Sequence, residues 1–347
     1  MSDPNQGNGE GTGGHEARRV AVLGDGGWGT ALAMLLSRKG IEVTLWGAFP
    51  GYLEEMSRLR ENLKFLPGVT LPEELALQAD PAEAVDGAEL VVVAIPTRYM
   101  RQTLSGIAAA LPRGARYVSV AKGLEETSLM RGTEIVRDVL GSVAIGGLFG
   151  PSHAEEVARR LPTAVVATAD DDELVRVIQA TFFTSSFRIY RSADLVGTEL
   201  AGAVKNVIAI AAGICDGLSF GDNTKAALIT RGLAEMTRLG VALGASPATF
   251  SGLAGVGDLV TTCFSPHGRN RAVGVRIGKG LSREEAENST EMVAEGVRTT
   301  PAVLKLAGSH GVEMPIAAEV NAVLFEGKGP RQAVVDLMTR PPKAEGA

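Results

Sequence analysis

The sequence predicts an α/β domain built on a mainly parallel sheet, followed by an all-helical domain. Three observations carry this. From about residue 18 to 190, short β-rich apolar runs alternate with helical stretches, the pattern of strands joined by helical crossovers. After Ser192 the β-branched signal fades and helical periodicity takes over. The chain has 347 residues, beyond the size at which one hydrophobic core normally keeps growing.

The expected domains are a disordered tail at 1–17, the sheet domain at 18–192, the helical domain at 193–340 and a polar tail at 341–347. The first segment carries five glycines and no apolar stretch, too little to offset its ordering entropy or to form a secretory signal. Strands are expected at 19–23, 42–46, 90–95, 116–120, 144–149, 163–167 and 187–190, each bounded by Gly, Pro or polar residues. The first helix is expected at 30–39, stopped by Gly40. In the second half, Ser282 with Glu285 has capping-box spacing. Residues 200–218 are apolar on every side and so predict a helix buried all round. Lys205 lies inside that helix. A lysine there pays desolvation unless it meets a cleft or an anion, which makes it the most anomalous residue in the chain.

Composition narrows the function. Hydrophobic residues are 45% and charged residues 21%, and no run reaches the roughly 18 apolar residues of a membrane span. Net charge is −6 with scattered basic residues, so neither nucleic-acid binding nor membrane insertion is expected. Cys215 and Cys263 stand alone, as packed thiols in a reducing, cytoplasmic compartment. His15, His153, His267 and His310 show no metal or triad spacing, and no metal is expected.

The strand at 19–23 runs into Gly24-Asp25-Gly26-Gly27-Trp28-Gly29 and then a helix, which is G-x-G-x-x-G in a dinucleotide-binding context. Gly24 permits the tight turn, Gly26 lets the backbone approach a pyrophosphate, and Gly29 allows close helix–sheet packing. The helix N-terminus offers N–H groups to the anion. A turn of this kind also serves FAD or S-adenosylmethionine proteins. The second strand ends in Trp46-Gly47-Ala48-Phe49, without the acidic residue that usually holds the adenosine ribose, so NAD and NADP are not distinguished.

Two other strands end in Pro96-Thr97 and Ala121-Lys122-Gly123, placing polar groups on the edge where open α/β sheets bind ligands. Gly268-Arg269-Asn270 joins a glycine to a guanidinium and an amide at a helix start, a combination that clamps a phosphate. Arg271 is expected to point elsewhere. Asp258 follows Gly255-Val256-Gly257 and is expected either as a helix N-cap or as a site carboxylate, with Thr262 one turn on. Lys205 suits the base that an alcohol dehydrogenation needs: burial and a neighbouring Lys122 would lower its pKa, and an ionised Asp258 would oppose them.

Taken in order, the glycine turn with its Trp28, Lys122-Gly123, Gly150-Pro151-Ser152, residues 199–206, residues 255–259 and Gly268-Arg269-Asn270-Arg271 resemble the bacterial NAD(P)-dependent glycerol-3-phosphate dehydrogenase family. The resemblance runs from about Arg18 to Thr339. It implies a Rossmann domain followed by a helical one, with sn-glycerol 3-phosphate and dihydroxyacetone phosphate interconverted in the cleft between, in the service of glycerophospholipid synthesis. It implies Lys205, Lys122 and Asp258 as catalytic residues, and Gly150, Ser152, Asn206, Gly268, Arg269 and Asn270 with them around the substrate. For NAD or NADP it implies Gly24, Gly26, Gly27, Trp28, Gly29, Phe49, Lys122, Ala154, Arg269, Val293 and Glu295. The implied partner is a small phosphorylated substrate, and a homodimer is open. The sequence departs from the family at Gly27 and Gly268, where many members carry serine, and at Ala48 or Phe49, where many carry arginine.

Two other readings stand beside this one. A two-domain β-hydroxyacid or 6-phosphogluconate-type dehydrogenase also pairs such domains with a lysine, though Lys205 and Asn206 are adjacent here where that class spaces the amide further along. A dinucleotide-binding module without catalysis would keep the glycine turn but need not keep Lys122, Lys205 and Asp258 together.

Overall fold

The computed structural model describes residues 15–289, 293–342 and 344–345. In chain order the first half runs β1 (Arg19–Leu23), α1 (Gly27–Lys39), β2 (Glu42–Trp46), α2 (Pro50–Leu59), β3 (Glu61–Asn62), β4 (Leu66–Thr70), β5 (Ala76–Gln78), α3 (Pro81–Val85), β6 (Leu90–Val93), α4 (Thr97–Ile107), β7 (Arg116–Ser119), α5 (Gly132–Leu140), β8 (Ile145–Phe149), α6 (Ala154–Ala158), β9 (Thr163–Ala169), α7 (Asp172–Phe182) and β10 (Phe187–Ser192). The elements that follow are helical: α8 (Leu195–Gly217), α9 (Asp222–Ala242), α10 (Pro247–Phe250), a π-turn (Leu253–Gly257), α11 (Asp258–Phe264), α12 (Arg269–Gly278), α13 (Arg283–Asn288), α14 (Glu295–Ser309), α15 (Pro315–Phe325) and α16 (Pro330–Met338).

Eight strands form one sheet in the order β10-β9-β8-β7-β6-β1-β2-β5, with β3 and β4 a separate antiparallel pair. Every pairing in the large sheet is parallel except β8 with β9. The chain leaves β1 toward β2 and later returns to its other side as β6, so a topological switch point lies between β1 and β6. Val20 pairs with Val43 on one side and Leu90 on the other. The central strands β1, β6, β7 and β8 are buried on both faces, which is why they read as nearly continuous apolar runs, while the edge strands β5 and β10 are partly exposed.

All seven expected strands are present, with ends shifted by up to two residues. β3, β4 and β5 were not anticipated; they span two, five and three residues and include Pro67 and Gly68, too short or too interrupted for a period-2 signal. α1 starts at Gly27 rather than residue 30, because the glycine turn itself enters the helix. The packed chain also begins earlier than expected: Ala17 is buried in the core and its N–H donates to Thr181 Oγ1 at 3.0 Å. Residues 1–14 of the expected tail, and 343 and 346–347 of the other, lie outside the described residues.

α8 is buried along nearly its whole length and packs against α9, α11, α12 and α14. By length and composition it would cross a bilayer, but here the surrounding helices cover it. Its approach to α12 is backbone to backbone. A Cβ added at Gly213 would lie 2.1 Å from Arg271 O, and one at Gly274 would lie 2.1 Å from Ile210 O. Cys215 and Cys263 are buried free thiols, pushed up by burial to about 11 and about 12. The Ser282–Glu285 capping box forms as expected.

Candidate active site

The carboxyl edge of the sheet and the buried helix α8 meet at one carboxylate. Lys122 follows β7, and its Nζ donates to Gly150 O at 2.9 Å, Ser152 Oγ at 3.1 Å and Asp258 Oδ2 at 2.9 Å. Gly150 follows β8 with φ +134°, a left-handed turn open to glycine, and this aims its carbonyl at the lysine. From α8, Lys205 Nζ donates to Asp258 Oδ1 at 2.5 Å and Thr262 Oγ1 at 2.6 Å. Asn206 Nδ2 donates to Lys122 O at 2.8 Å, so adjacent residues of α8 grip both ends of the arrangement. Of the two roles left open for Asp258, the helix cap is not the one it takes. Gly257 holds the cap position, and the Asp258 carboxylate is committed to two ammonium groups.

Electrostatics follow from burial. Lys205 is 4% exposed and Asp258 2%. Desolvation penalises the Lys205 ammonium most, Asp258 opposes it and Lys122 adds to it, so the amine is brought down to about 8. Burial raises the Asp258 carboxyl, but the two lysines outweigh it and hold the group below its ordinary range. These are the directions anticipated for the lysine. His153 sits near both ammoniums, its imidazole lowered by burial and then by Lys205 and Lys122. Its Nε2 is buried without a partner, and its ring lies 5.8 Å from that of His267.

A second group lies at the start of α12 and α14. Arg269, exposed at the head of α12, donates from Nη1 to Val293 O at 3.2 Å. Asn270 is buried and accepts from Gly296 N at 2.9 Å through Oδ1, so this oxygen ties α12 to α14. Glu295 accepts from Thr97 N at 3.2 Å, reaching the carboxyl edge of β6. Burial raises its carboxyl, while Arg269 and Lys122 act against that rise. Arg269, Val293 and Glu295 thus come together, with Lys122 close enough to link them to the lysine pair. A Cβ on Gly268 would lie 2.8 Å from Thr262 O, so the loop here is shaped around glycine where many family members carry serine. Arg271 does point elsewhere, to Asp216 at 2.7 Å.

The glycine turn fits a dinucleotide. Gly24 has φ +120° and lies against Ala94 at the switch point, and a Cβ on Gly29 would meet Gly24 O at 2.0 Å. At Gly26, by contrast, no atom lies within 4 Å of an added Cβ, which leaves room for a pyrophosphate. Gly27 is closed by Phe65 O at 2.5 Å, with Ala154 beside it, so a serine hydroxyl has no room there. Trp28 packs into the core 6.4 Å from Phe187, and Phe49 stands 69% exposed at the head of α2.

Two supports and one unpartnered carboxylate carry no role in the sequence reading. Asn62 is fully buried and donates to Asp25 O and Thr30 Oγ1, both at 2.8 Å, fixing the β3–β4 hairpin to the glycine turn. Glu199 accepts from Arg131 Nη1 at 2.7 Å and from Thr133 N at 2.9 Å, joining α8 to α5. Asp25, read only as a variable position of the motif, has a buried carboxylate oxygen with no partner. A single polar residue is the only trace each of these leaves in the sequence, and it does not name the partner.

Comparison with known proteins agrees with this geometry. Residues 19–175 match the family model of the NAD-dependent glycerol-3-phosphate dehydrogenase N-terminus, and residues 194–335 match that of its C-terminus. The chain is 51% identical over 333 residues to glycerol-3-phosphate dehydrogenase [NAD(P)+] of Citrifermentans bemidjiense, covering 95% of this chain and 99% of that one. It is 49% identical over 330 residues to the enzyme of the same name from Chlorobium phaeobacteroides, covering 94% and 99%. The crystal structure of glycerol-3-phosphate dehydrogenase from Coxiella burnetii superposes with a TM-score of 0.90 at 38% identity, covering 93% of this chain and 99% of that one. With both halves matched in order, and relatives near half identity along almost their whole length, this chain belongs to the NAD-dependent glycerol-3-phosphate dehydrogenase family.

Proposed function

We propose that Lys205 moves the proton as this enzyme interconverts sn-glycerol 3-phosphate and dihydroxyacetone phosphate with NAD or NADP. The observation that carries the reading is the buried amine of Lys205, brought to about 8 and held 2.5 Å from Asp258 where α8 meets the sheet's carboxyl edge. When bound, the nicotinamide supplies or takes up the hydride. Removing hydride from a secondary alcohol leaves a hydroxyl proton, which a neutral Lys205 Nζ accepts; in the other direction the ammonium returns it to the nascent alkoxide. Asp258 aligns Lys205 and Lys122 and compensates their charge, and Thr262 fixes the amine from the other side. Lys122, Gly150 and Ser152 form the wall facing the reacting carbons, and Arg269 with Asn270 takes the phosphate. The glycine turn, with Ala154, Val293 and Glu295, takes the dinucleotide.

The convergence of Lys122 and Lys205 on Asp258 favours this over a binding module, since such a module has no need to bring three titratable groups together. The same reading puts the enzyme in the cytoplasm, supplying the glycerol phosphate of phospholipids. It also allows a homodimer, which light scattering would register as a doubling of the 36.1 kDa mass. Lys205→Ala is expected to cut turnover about 10²–10⁴-fold with NADH binding retained. Arg269→Ala is expected to raise the KM for dihydroxyacetone phosphate far more than that for NADH. Near-normal turnover in the first, or an unchanged substrate KM in the second, refutes the corresponding role.

A further inference from the structure

The end of β2, where this fold usually presents the residue that reads the adenosine ribose, carries Trp46, Gly47, Ala48 and Phe49. None is charged. Gly47 is nevertheless buried, because another side chain fills its place: a Cβ built on it would lie 2.6 Å from Asp25 Oδ2 and 2.7 Å from Asp25 Cγ. The carboxylate therefore occupies the volume in which a side chain at residue 47 would begin. It arrives from the glycine turn one strand over. Asp25 is held there by its backbone, since its carbonyl accepts from Asn62 Nδ2 at 2.8 Å and Thr30 Oγ1 at 3.2 Å.

We infer that Asp25 is the coenzyme-selecting residue of this enzyme, its carboxylate standing in for the missing strand-end acid and setting a preference for NADH over NADPH. The inference rests on the dinucleotide reading above and extends it to the choice between the two coenzymes. Two features support it besides position. Asp25 Oδ2 has no hydrogen-bond partner, an acceptor in need of a donor such as a ribose hydroxyl. Burial also raises the carboxyl against the opposing effects of its own backbone N–H and Lys64, so little compensates the charge. A ribose hydroxyl can donate to a carboxylate; a 2′-phosphate brings two further negative charges against it. Among the described residues the cation acting on Asp25 is Lys64, on the exposed β3–β4 connection with its ammonium 5.4 Å from the Phe65 ring centroid.

The test is titration of NADH and NADPH into the purified enzyme, read as dissociation constants by calorimetry or nicotinamide fluorescence, for the native chain, Asp25→Asn and Lys64→Ala. Native protein is expected to bind NADH at least about tenfold more tightly than NADPH, and Asp25→Asn to shrink that ratio by about tenfold, as expected for removing a like-charge contact. Native affinities within twofold of each other, or a ratio unchanged in a folded Asp25→Asn, overturn the inference while leaving the dinucleotide reading intact. Tighter NADPH binding that disappears in Lys64→Ala overturns it in favour of the lysine. Binding of neither nucleotide overturns the dinucleotide reading and the inference together. A native ratio near one overturns the inference without any variant, and the assignment to Asp25 is read from Asp25→Asn, or from Asp25→Ser should that variant not fold.

Discussion

Lys205 and Asp258 are opposed by the same burial, and their pairing decides the pH at which each direction of the reaction runs. With Lys205 in the proposed role, oxidation of glycerol 3-phosphate would need the neutral amine, so its kcat/KM is expected to rise with pH through about 8, whereas reduction of dihydroxyacetone phosphate, which would need the ammonium, is expected to fall through the same region. Asp258 is what holds the amine up. In Asp258→Asn burial and Lys122 remain, with only the smaller effect of Cys263 against them, so the limb of the oxidation profile should move below 8; a limb that stays or rises contradicts the assignment. The same variant leaves two ammoniums without their counter-charge and should be less stable by about 3–5 kcal/mol, measurable by urea denaturation. Lys205 was legible in the sequence because a lysine in a largely apolar helix must meet a cleft or an anion, and here it meets Asp258. Asp258 was half legible, since a carboxylate after a glycine turn reads equally as a cap, and only the fold shows two amines waiting for it. Asp25 was not legible at all, as nothing in the string says its side chain crosses to β2.

At the level of elements, glycines do two different jobs, and substitution separates them. Gly26 has φ −63° and ψ 168°, an ordinary extended conformation, with open space where a Cβ would go. Gly26→Ala should therefore fold with a near-native Tm but bind NADH poorly, because the methyl takes the room of the pyrophosphate. Gly274→Ala puts a methyl 2.1 Å from a backbone carbonyl of α8 and should cost about 1–3 kcal/mol, lowering Tm. If the Tm changes of the two variants were reversed, these assignments would be wrong. Long parallel strands and the buried helix α8 were legible because each is a sustained apolar run. The short β3, β4 and β5 were not, since two to five residues carry no period.

Across the whole molecule, stability carries its own pH signature, away from catalysis. Glu235 on α9 is buried and accepts from Ile316 N at 2.7 Å and Ala317 N at 3.3 Å at the head of α15, yet burial outweighs those bonds and pushes it up to about 7. Its unfolded value is near 4.5, so between about 4.5 and 7 the folded chain binds the extra proton, and stability falls as pH rises through that window. Glu235→Gln should remove this slope, amounting to about 3 kcal/mol across the window, in denaturant melts at pH 5 and pH 8. An identical slope in the variant would place the proton elsewhere. The meeting of the two halves is the part of the site least legible in sequence. Arg131 and Glu199, or Lys122 and Asn206, are 68 and 84 residues apart, and no local rule pairs them.

The glycine crossing of α8 and α12 has a consequence for selectivity. Helices in backbone contact cannot slide past one another without collision, so Lys205 on one and Arg269 at the tip of the other stay a fixed span apart, like the jaws of a locked caliper. If those jaws grip the carbinol and the phosphoryl end of one small molecule, they gauge its length. Phosphorylated ketones one carbon longer between the two groups should then be turned over far more slowly than dihydroxyacetone phosphate, and Gly274→Ala, by prising the jaws apart, should narrow that difference.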